Sequence, residues 1–238
     1  MVLGFVALLL GVIVIPLMRL WPNRSQKQGF RVQSLIRILV RFYLFMLQAL
    51  GTCTIRFEGK ERLWEPGLLV VANHPSLLDA LLLMSQMPQV DCVVKERYFH
   101  DPFLGSAAQG AGYIPSSDGP SMVDACVERL DQGRSIIIFP EGTRSPVGEL
   151  GPFNRGMAHI AIRAQKNPVP VTIHCEPPTL YRGQKWWDVP DRRFELTLRV
   201  GEPLVPRSEN GETRSRGLAA RDLTESMRLY FERELAVA

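Results

Sequence analysis

Short apolar segments alternate with amphipathic ones along most of the chain, beginning near Thr54. Short apolar or alternating runs are typical of strands, and longer segments with helical spacing are typical of helices. The predicted strands are Thr54–Glu58, Leu68–Ala72, Cys92–Val94, Ser135–Phe139, Val169–His174 and Phe194–Val200. The predicted helices are Ser76–Gln86, Ser121–Gly133, Gly156–Lys166 and Ala220–Ala236. This alternation predicts an α/β domain with a mostly parallel, twisted central sheet flanked by helices.

The first part of the chain differs, because residues 2–18 form an apolar run without a single charge. As a helix this run is shorter than the roughly 30 Å hydrocarbon core of a bilayer. A cleaved signal peptide fits poorly, since no Lys or Arg precedes the run and no small-residue cleavage site follows it. We expect either a short spanning helix or a helix embedded in one leaflet.

A second hydrophobic segment, Leu35–Gly51, has Arg31, Arg37 and Arg41 along one polar side. This pattern is typical of a helix in the membrane interface with its arginines toward anionic headgroups, and a core helix is the alternative. Between residues 19 and 62, nine Lys/Arg stand against two acids. This basic excess predicts that residues 1–52 attach the chain to the cytoplasmic face of the (inner) cell membrane.

The composition is typical of a globular protein, and the cysteine spacing and missing motifs argue against several functional classes. Apolar residues make up 46% and charged residues 22% of the chain, so a packed domain is expected. The four cysteines lie far apart without a Cys-x-x-Cys pair, which predicts buried reduced thiols and no zinc site. Neither a Gly-x-Ser-x-Gly elbow nor a P-loop is present. Nucleic acid is not an expected partner, because the basic stretch adjoins hydrophobic segments.

The stretch NHPSLLDA places His74 directly after the second predicted strand and five residues before Asp79. Pro75 and Ser76 suit a helix start, with Ser76 as the N-cap and Asp79 at the third helical position. From there the Asp79 carboxylate reaches back to the imidazole, fixes its tautomer and stabilises the imidazolium formed on proton uptake. Because ligands bind at strand ends in α/β sheets, the pattern suits a general base. A purely structural capping box is the alternative.

A second stretch, FPEGTRS, follows another apolar strand and brings four different functional groups into one turn. These groups are the carboxylate of Glu141, the backbone of Gly142, the hydroxyl of Thr143 and the guanidinium of Arg144. A carboxylate binds hydroxyl groups, while arginine and backbone N–H groups bind phosphate, so the set suits a polar headgroup. Taken alone, a tight turn with a surface arginine explains the stretch equally well.

Together the two stretches resemble the glycerolipid acyltransferases, best known from bacterial 1-acylglycerol-3-phosphate acyltransferases. The resemblance rests on His-x4-Asp after a strand and on Phe-Pro-Glu-Gly-Thr-Arg-Ser, with 67 residues between His74 and Glu141. Lys95 and Pro102-Phe103-Leu104-Gly105 match the family's intermediate block, and Val169-Pro170-Val171 matches its last block. The similarity covers residues 68–173, and hydrophobic N-terminal helices also suit the family.

The resemblance implies a membrane-bound O-acyltransferase with His74 as general base and Asp79 as its partner, and residues 53–238 as the catalytic domain. The acceptor hydroxyl loses its proton to His74 and attacks the thioester of an acyl-CoA or acyl-carrier protein directly. The implied acceptor is a lysophospholipid, 1-acylglycerol-3-phosphate, and the product is phosphatidic acid. The residues expected to bind substrate are Asn73, Lys95, Glu141, Gly142, Thr143 and Arg144. The resemblance implies no metal and no other cofactor.

The chain departs from the family pattern at Ser116, where the family usually has an arginine. In the family this arginine helps to hold the acceptor's phosphate, and a serine supplies no bidentate charged grip. An acceptor without a glycerophosphate group therefore stays open, such as an ornithine lipid or a pigment-linked lipid, with acyl-carrier protein as donor. A third hypothesis is a non-enzymatic membrane adaptor. That hypothesis explains the N-terminus but not why His74, Asp79 and Glu141 stand beside strand ends.

Overall fold

The structure is a computed structural model that describes residues 26–101, 105–116, 120–185, 187–188, 190–205 and 215–236. The strands are β1 (Cys53–Glu58), β2 (Leu69–Ala72), β3 (Asp91–Lys95), β4 (Ile114–Ser116), β5 (Ile136–Ile138), β6 (Val169–Glu176) and β7 (Phe194–Val200). The α-helices are α1 (Gln26–Ala49), α2 (Asp79–Gln86), α3 (Gly105–Ala111), α4 (Pro120–Asp131), α5 (Gly156–Arg163) and α6 (Arg216–Ala236). Short 3-10 helices span Lys60–Trp64 and Glu96–Phe99.

The seven strands form one sheet in the spatial order β1-β7-β6-β2-β5-β3-β4. β2 pairs in parallel with β5 and β6, with Val70 opposite Ile137 and Ala72 opposite Val171. β3 is parallel to β5 and β4. β7 runs antiparallel to β6, and β1 pairs in parallel with β7 at the edge of the sheet. The carboxyl ends of β2 to β6 therefore share one edge, which is the ligand-binding edge of open α/β sheets.

Alternate residues of β2 face opposite sides of the sheet and divide the core into two layers. Val70 and Ala72 pack with α1 and α2 on one side, while Leu69 and Val71 pack with α4, α5 and α6 on the other. All four side chains are fully buried. A strand covered on both faces needs such a continuous apolar run. The predicted α/β domain with a mostly parallel, flanked sheet is confirmed.

The predicted strands are all present, and no end is shifted by more than two residues. The pattern missed β4 and α3, because three residues with a central proline and a short Gly/Ala-rich helix carry no clear periodicity. Two predicted features lie outside the described residues. These are the apolar run of residues 2–18 and the Pro102-Phe103-Leu104 portion of the intermediate block.

The predicted start of α2 at Ser76 is wrong. The helix begins at Asp79 with Leu78 at the N-cap position, so Asp79 is the first helical residue and not the third. The Ser76 hydroxyl donates to the carbonyl of Thr179 at 2.9 Å, and its oxygen accepts only the N–H of Leu78, ahead of the helix, at 3.4 Å. The serine therefore stabilises the turn that precedes the helix and ties it to Thr179, and the helix itself begins one turn later.

Helix α1 is longer than the predicted segment and presents two apolar faces. Tyr43 and Leu47 point into the sheet core with 5% and 1% exposure, whereas Phe42 and Phe45 are 54% and 62% exposed. The expectation of one arginine-lined polar side is wrong for Arg37, which is half-buried and donates to the carbonyl of Ser85 on α2 at 3.3 Å. Among the described residues, one helical segment, Gly29–Ala49, is long and apolar enough to cross a membrane, judged by length and composition alone.

Candidate active site

The loop from β2 to α2 carries His74 at the carboxyl edge of the sheet. Its Nδ1 lies 2.8 Å from Oδ2 of Asp79, and its ring stacks on Phe139 with a centroid separation of 4.3 Å. The His74 side chain is 18% exposed, while that of Asp79 is fully buried. A carboxylate at Nδ1 holds the tautomer with its proton on Nδ1, so Nε2 has a free lone pair for a substrate proton.

Asp79 is held from two sides inside the protein. Its Oδ2 accepts both the His74 contact and the N–H of Ser76 at 2.7 Å. Among the described residues, Oδ1 has no hydrogen-bond partner. Burial raises the pKa of Asp79, and the hydrogen bonds from His74 and Ser76 act against that rise. Burying such a carboxylate lowers the stability of the fold. Its attraction to His74 is strongest when the imidazole becomes positively charged.

Glu141 joins the two sequence stretches into one site. Its Oε1 accepts the backbone N–H of His74 at 3.0 Å and the hydroxyl of Ser145 at 2.8 Å. Its Oε2 accepts the N–H of Gly151 at 2.7 Å. The residue is only 5% exposed. These contacts use both carboxylate oxygens within the protein, so its predicted contact with acceptor hydroxyls stays a prediction.

The next three residues of the FPEGTRS stretch differ in their exposure to solvent and in their contacts. Gly142 is exposed and has a φ of 65°, a left-handed conformation that glycine adopts most readily. Thr143 and Arg144 are half-buried. The Nη1 of Arg144 donates to the carbonyl of Leu180 at 2.7 Å and to that of Tyr181 at 2.9 Å. Part of the guanidinium predicted to bind a headgroup is thus occupied by backbone carbonyls.

The remaining predicted substrate residues stand at the ends of neighbouring strands. Asn73 is buried and pairs with the backbone of Ile173 on β6 through both its Nδ2 and its Oδ1, at 2.9 and 2.7 Å. Lys95, half-buried, ends β3 opposite the exposed Ser116 of β4. Lys95 therefore lies beside the position where the family arginine is replaced. Substrate contact by Asn73 and Lys95 stays a prediction.

Sequence reasoning missed two parts of this arrangement. Phe139 was assigned to a strand, and nothing in its pattern indicated that it stacks on the imidazole. The segment from Thr179 to Tyr181 was not singled out, although its carbonyls accept hydrogen bonds from both stretches. The one available signal was the Pro177-Pro178 pair, which predicts a turn at the end of β6.

A cleft of about 750 Å³ opens beside the His74 loop. Asn73 and Pro75 line it on one side, the end of β6 and the loop after β5 line it on others, and the last turns of α6 close it. Its volume lies in the range of small-molecule sites, which is about 300–1,000 Å³. The cleft borders the loop that carries His74, although its lining there is formed by the neighbours Asn73 and Pro75 and not by His74 itself.

An imidazole beside a buried carboxylate at the carboxyl edge of an α/β sheet has a geometry that suits general-base chemistry. The chain belongs to the acyltransferase family, whose family model, described as Acyltransferase, matches residues 54–174. That match covers β1 to most of β6 and includes both sequence stretches. The resemblance inferred from the sequence is therefore confirmed.

Several curated relatives are named 1-acyl-sn-glycerol-3-phosphate acyltransferase. A chloroplastic one from Brassica napus is 38% identical over 43% of this chain and 31% of its own length. One from Helicobacter pylori is 38% identical over 44% of this chain and 47% of its own. One from Pseudomonas aeruginosa is 24% identical over 71% and 66%, respectively. The aligned part thus spans less than half the length of the first two relatives.

The fold has a solved counterpart. The 1-acyl-sn-glycerophosphate acyltransferase PlsC from Thermotoga maritima superposes with a TM-score of 0.73. The superposition covers 99% of this chain and 95% of the other at 20% sequence identity. At this identity the likeness establishes the shared fold alone.

Proposed function

We propose that the protein is a membrane-bound O-acyltransferase that moves a fatty acyl group from a thioester to the hydroxyl of a lysophospholipid. The observation that carries the proposal is the 2.8 Å contact between His74 and Asp79 inside the segment that matches the acyltransferase family. The family match supports acyl transfer, and the contact supplies a group able to activate a hydroxyl.

His74 is the general base in this proposal. Its Nε2 takes the proton of the acceptor hydroxyl while the hydroxyl oxygen attacks the carbonyl carbon of the thioester. The C–S bond then breaks, the new ester forms, and the imidazolium returns the proton to the departing thiolate. Asp79, hydrogen-bonded at Nδ1, orients the ring and stabilises its positive charge between these two proton transfers.

The favoured acceptor is 1-acylglycerol-3-phosphate, which yields phosphatidic acid. The names of the relatives support this acceptor. Lys95 at the end of β3 and Arg144 are the cations proposed to meet its phosphate, with Gly142 and Thr143 in the same turn as Arg144. The donor is an acyl-CoA or an acyl-carrier protein.

Ser116 supports a second candidate acceptor. This serine is exposed at the end of β4 opposite Lys95, where the family usually offers an arginine. Arg144 also directs Nη1 to the carbonyls of Leu180 and Tyr181, and Ser116 supplies no positive charge where the family pattern has one. The same chemistry on an acceptor without a glycerophosphate group, such as an ornithine lipid, is compatible with that loss.

Membrane attachment through residues 1–52 belongs to the same proposal. Phe42 and Phe45 expose apolar surface on α1 while Tyr43 and Leu47 anchor the helix to the sheet. This two-sided packing favours a helix lying along the membrane surface, since crossing the bilayer would pull its core face out of the domain. The basic residues between 19 and 62 support the cytoplasmic face.

The test is an acyl-transfer assay on membranes that contain the full chain. Labelled acyl-CoA or acyl-carrier protein is offered with 1-acylglycerol-3-phosphate or with mixed lysolipids. His74→Ala is the inactive variant, and His159→Ala on α5 is the matched control. Phosphatidic acid formed by wild type and His159→Ala but not by His74→Ala is the expected result.

Other outcomes separate the parts of the proposal. Product from other lysolipids but none from 1-acylglycerol-3-phosphate keeps the chemistry and selects the second acceptor class. A fully active His74→Ala variant contradicts the general-base role. Labelled product from neither donor with any acceptor contradicts the acyltransferase proposal and leaves the membrane adaptor.

A further inference from the structure

Leu180 occupies an unusual position beside the active site. Its carbonyl oxygen accepts two hydrogen bonds, from the N–H of Leu77 at 3.1 Å and from Nη1 of Arg144 at 2.7 Å. Its side chain is 4% exposed, and its φ is 56°. A buried leucine in the left-handed region is uncommon and is retained where its surroundings over-determine the backbone.

The residues on either side of Leu180 make the same kind of contact. The carbonyl of Thr179 accepts the hydroxyl of Ser76 at 2.9 Å, and the carbonyl of Tyr181 accepts Nη1 of Arg144 at 2.9 Å. Three consecutive carbonyls therefore receive donors from two different loops. One loop carries His74 and leads into Asp79 at the start of α2, and the other carries Glu141 and Arg144.

We propose that Thr179–Tyr181, which we call the clamp segment, is a positioning element that holds these two loops in register for catalysis. This proposal rests on the acyltransferase function proposed above. Ser76 and Leu77 lie between His74 and Asp79, so the clamp segment grips the loop at its middle. A displacement of about 1 Å in a reacting group lowers rates by roughly 100-fold, which makes such a grip consequential.

Arg144 has a specific role in the clamp. A guanidinium is a rigid fork, and here one nitrogen of that fork is shared between the carbonyls of Leu180 and Tyr181. Lysine keeps the positive charge, but its side chain is one atom shorter and ends in a flexible ammonium, so it does not hold a nitrogen at the position of Nη1. Arg144→Lys therefore separates the two possible roles of the arginine, because a charge-only contact with the acceptor tolerates lysine better than the clamp does.

The experiment measures kcat and the KM for the acceptor in five forms of the full chain. These are the wild type, Ser76→Ala, Arg144→Lys, the double variant, and Arg192→Ala. Arg192 is a matched control because it lies in the same stretch between β6 and β7 but pairs at the surface with Glu176. Thermal unfolding of each variant establishes that it is folded.

Ser76→Ala and Arg144→Lys are each expected to lower kcat by roughly 10- to 100-fold with the KM for the acceptor changed less than about twofold. Their effects are expected to be less than additive in the double variant, because both act on the same segment. Arg192→Ala is expected to match the wild type. A purely structural contribution would lower the unfolding temperature without this separation of kcat from KM.

Two kinetic results would overturn the clamp. Unchanged kcat in both single variants means that the loops keep their register without it. A raised acceptor KM with unchanged kcat in Arg144→Lys assigns Arg144 to the acceptor's phosphate.

If the wild type itself transfers no acyl group, the proposed function fails and the clamp is judged separately. Hydrogen exchange at the Leu77 amide, which donates to Leu180, then serves as the readout. Faster exchange in Ser76→Ala and Arg144→Lys than in Arg192→Ala supports the clamp, and equal exchange rates refute it.

Discussion

The backbone N–H of His74 donates to Oε1 of Glu141 across 3.0 Å, so the carboxylate after β5 holds the residue after β2. A second link runs the other way, because the N–H of Ser145 donates to the His74 carbonyl at 2.7 Å. Two stretches that are 67 residues apart in the chain are therefore one structural unit. Glu141 therefore contributes to the position of His74 together with Asp79 at the start of α2.

Glu141→Gln tests this unit. Glutamine offers one acceptor oxygen where glutamate offers two, so either Gly151 or the pair His74 and Ser145 loses its acceptor. Leaving a buried donor unpaired costs about 1–3 kcal/mol, and we expect the free energy of unfolding to fall by that amount. We also expect kcat to fall, because the backbone of His74 is released. Urea unfolding and the acyl-transfer assay measure the two effects.

Glu149→Gln is the control for this substitution, since Glu149 is exposed on the same loop. Its free energy of unfolding is expected to stay within about 0.5 kcal/mol of the wild type. Equal stability of Glu141→Gln and Glu149→Gln would show that Glu141 does not hold the two loops together.

Asp79→Asn is expected to slow acyl transfer and to change how stability depends on pH. Because burial raises the pKa of Asp79, the folded protein binds a proton at this site more tightly than the unfolded chain does. Stability contributed by this group is therefore lost as pH rises from the unfolded value of about 3.9 through the folded pKa. Asparagine does not titrate, so the stability of the variant does not show this decrease with rising pH.

The measurement compares urea unfolding of wild type and Asp79→Asn at several pH values between acid and neutral. The free energy of unfolding of the wild type minus that of the variant is expected to fall as pH rises. A difference that rises with pH would mean that the contacts with His74 and Ser76 outweigh burial, and that the folded pKa of Asp79 is lowered.

The meeting of the candidate site residues was predictable because their signal is local. His74 follows an apolar strand and Asp79 begins the next helix, while Glu141 to Arg144 lie in one turn, and the two spacings together carried the family resemblance. The clamp segment was not predictable in this way. Its contacts use backbone carbonyls, and the leucine at 180 carries no side-chain signature for a bond to Arg144 36 residues away.

Helix α1 shows a second limit of pattern reading. Its sequence indicates an amphipathic helix, but apolar residues occur on both the face that packs on the sheet and the face that is exposed. Periodicity alone does not say which of Phe42 and Tyr43 meets the core. The choice is made by the complementary surface of α2 and the sheet, which only tertiary structure provides.

A buried polar cluster lies at the opposite edge of the sheet from His74. A substitution there is expected to lower the free energy of unfolding without lowering kcat. Asp91 at the start of β3 is fully buried, contacts Arg134 in a salt bridge and accepts Nε2 of Gln33 from α1 at 2.9 Å. Burial raises the pKa of Asp91, and Arg134 opposes that rise. Arg134→Met leaves the carboxyl group without its cation, and we expect a loss of about 3–5 kcal/mol in the free energy of unfolding.

The control for this prediction is Arg221→Ala, an exposed arginine on α6. Below the unfolding transition, Arg134→Met is expected to keep the wild-type kcat, because Asp91 lies at the amino end of its strand, away from His74. A folded Arg134→Met protein with wild-type stability would mean that Gln33 and desolvation alone set the state of Asp91.

The exposed face of α1 predicts where the folded domain meets lipid. A nitroxide attached at Phe45→Cys reports its own depth through collisions with oxygen and with a water-soluble nickel complex. Labelling is selective, because burial raises the pKa of Cys53 to about 11 and of Cys126 and Cys175 to about 12, and raises that of Cys92 further, which leaves little reactive thiolate. Phe45 is 62% exposed, so the label does not disturb the core.

With the full chain in vesicles of mixed neutral and anionic lipid, we expect the label at residue 45 to lie at the headgroup–acyl boundary, about 5–10 Å deep. The control label at Leu229→Cys, exposed on α6, is expected to stay in water. A label at residue 45 that remains aqueous while the protein is membrane-bound would remove α1 from the attachment and leave that role to the preceding residues.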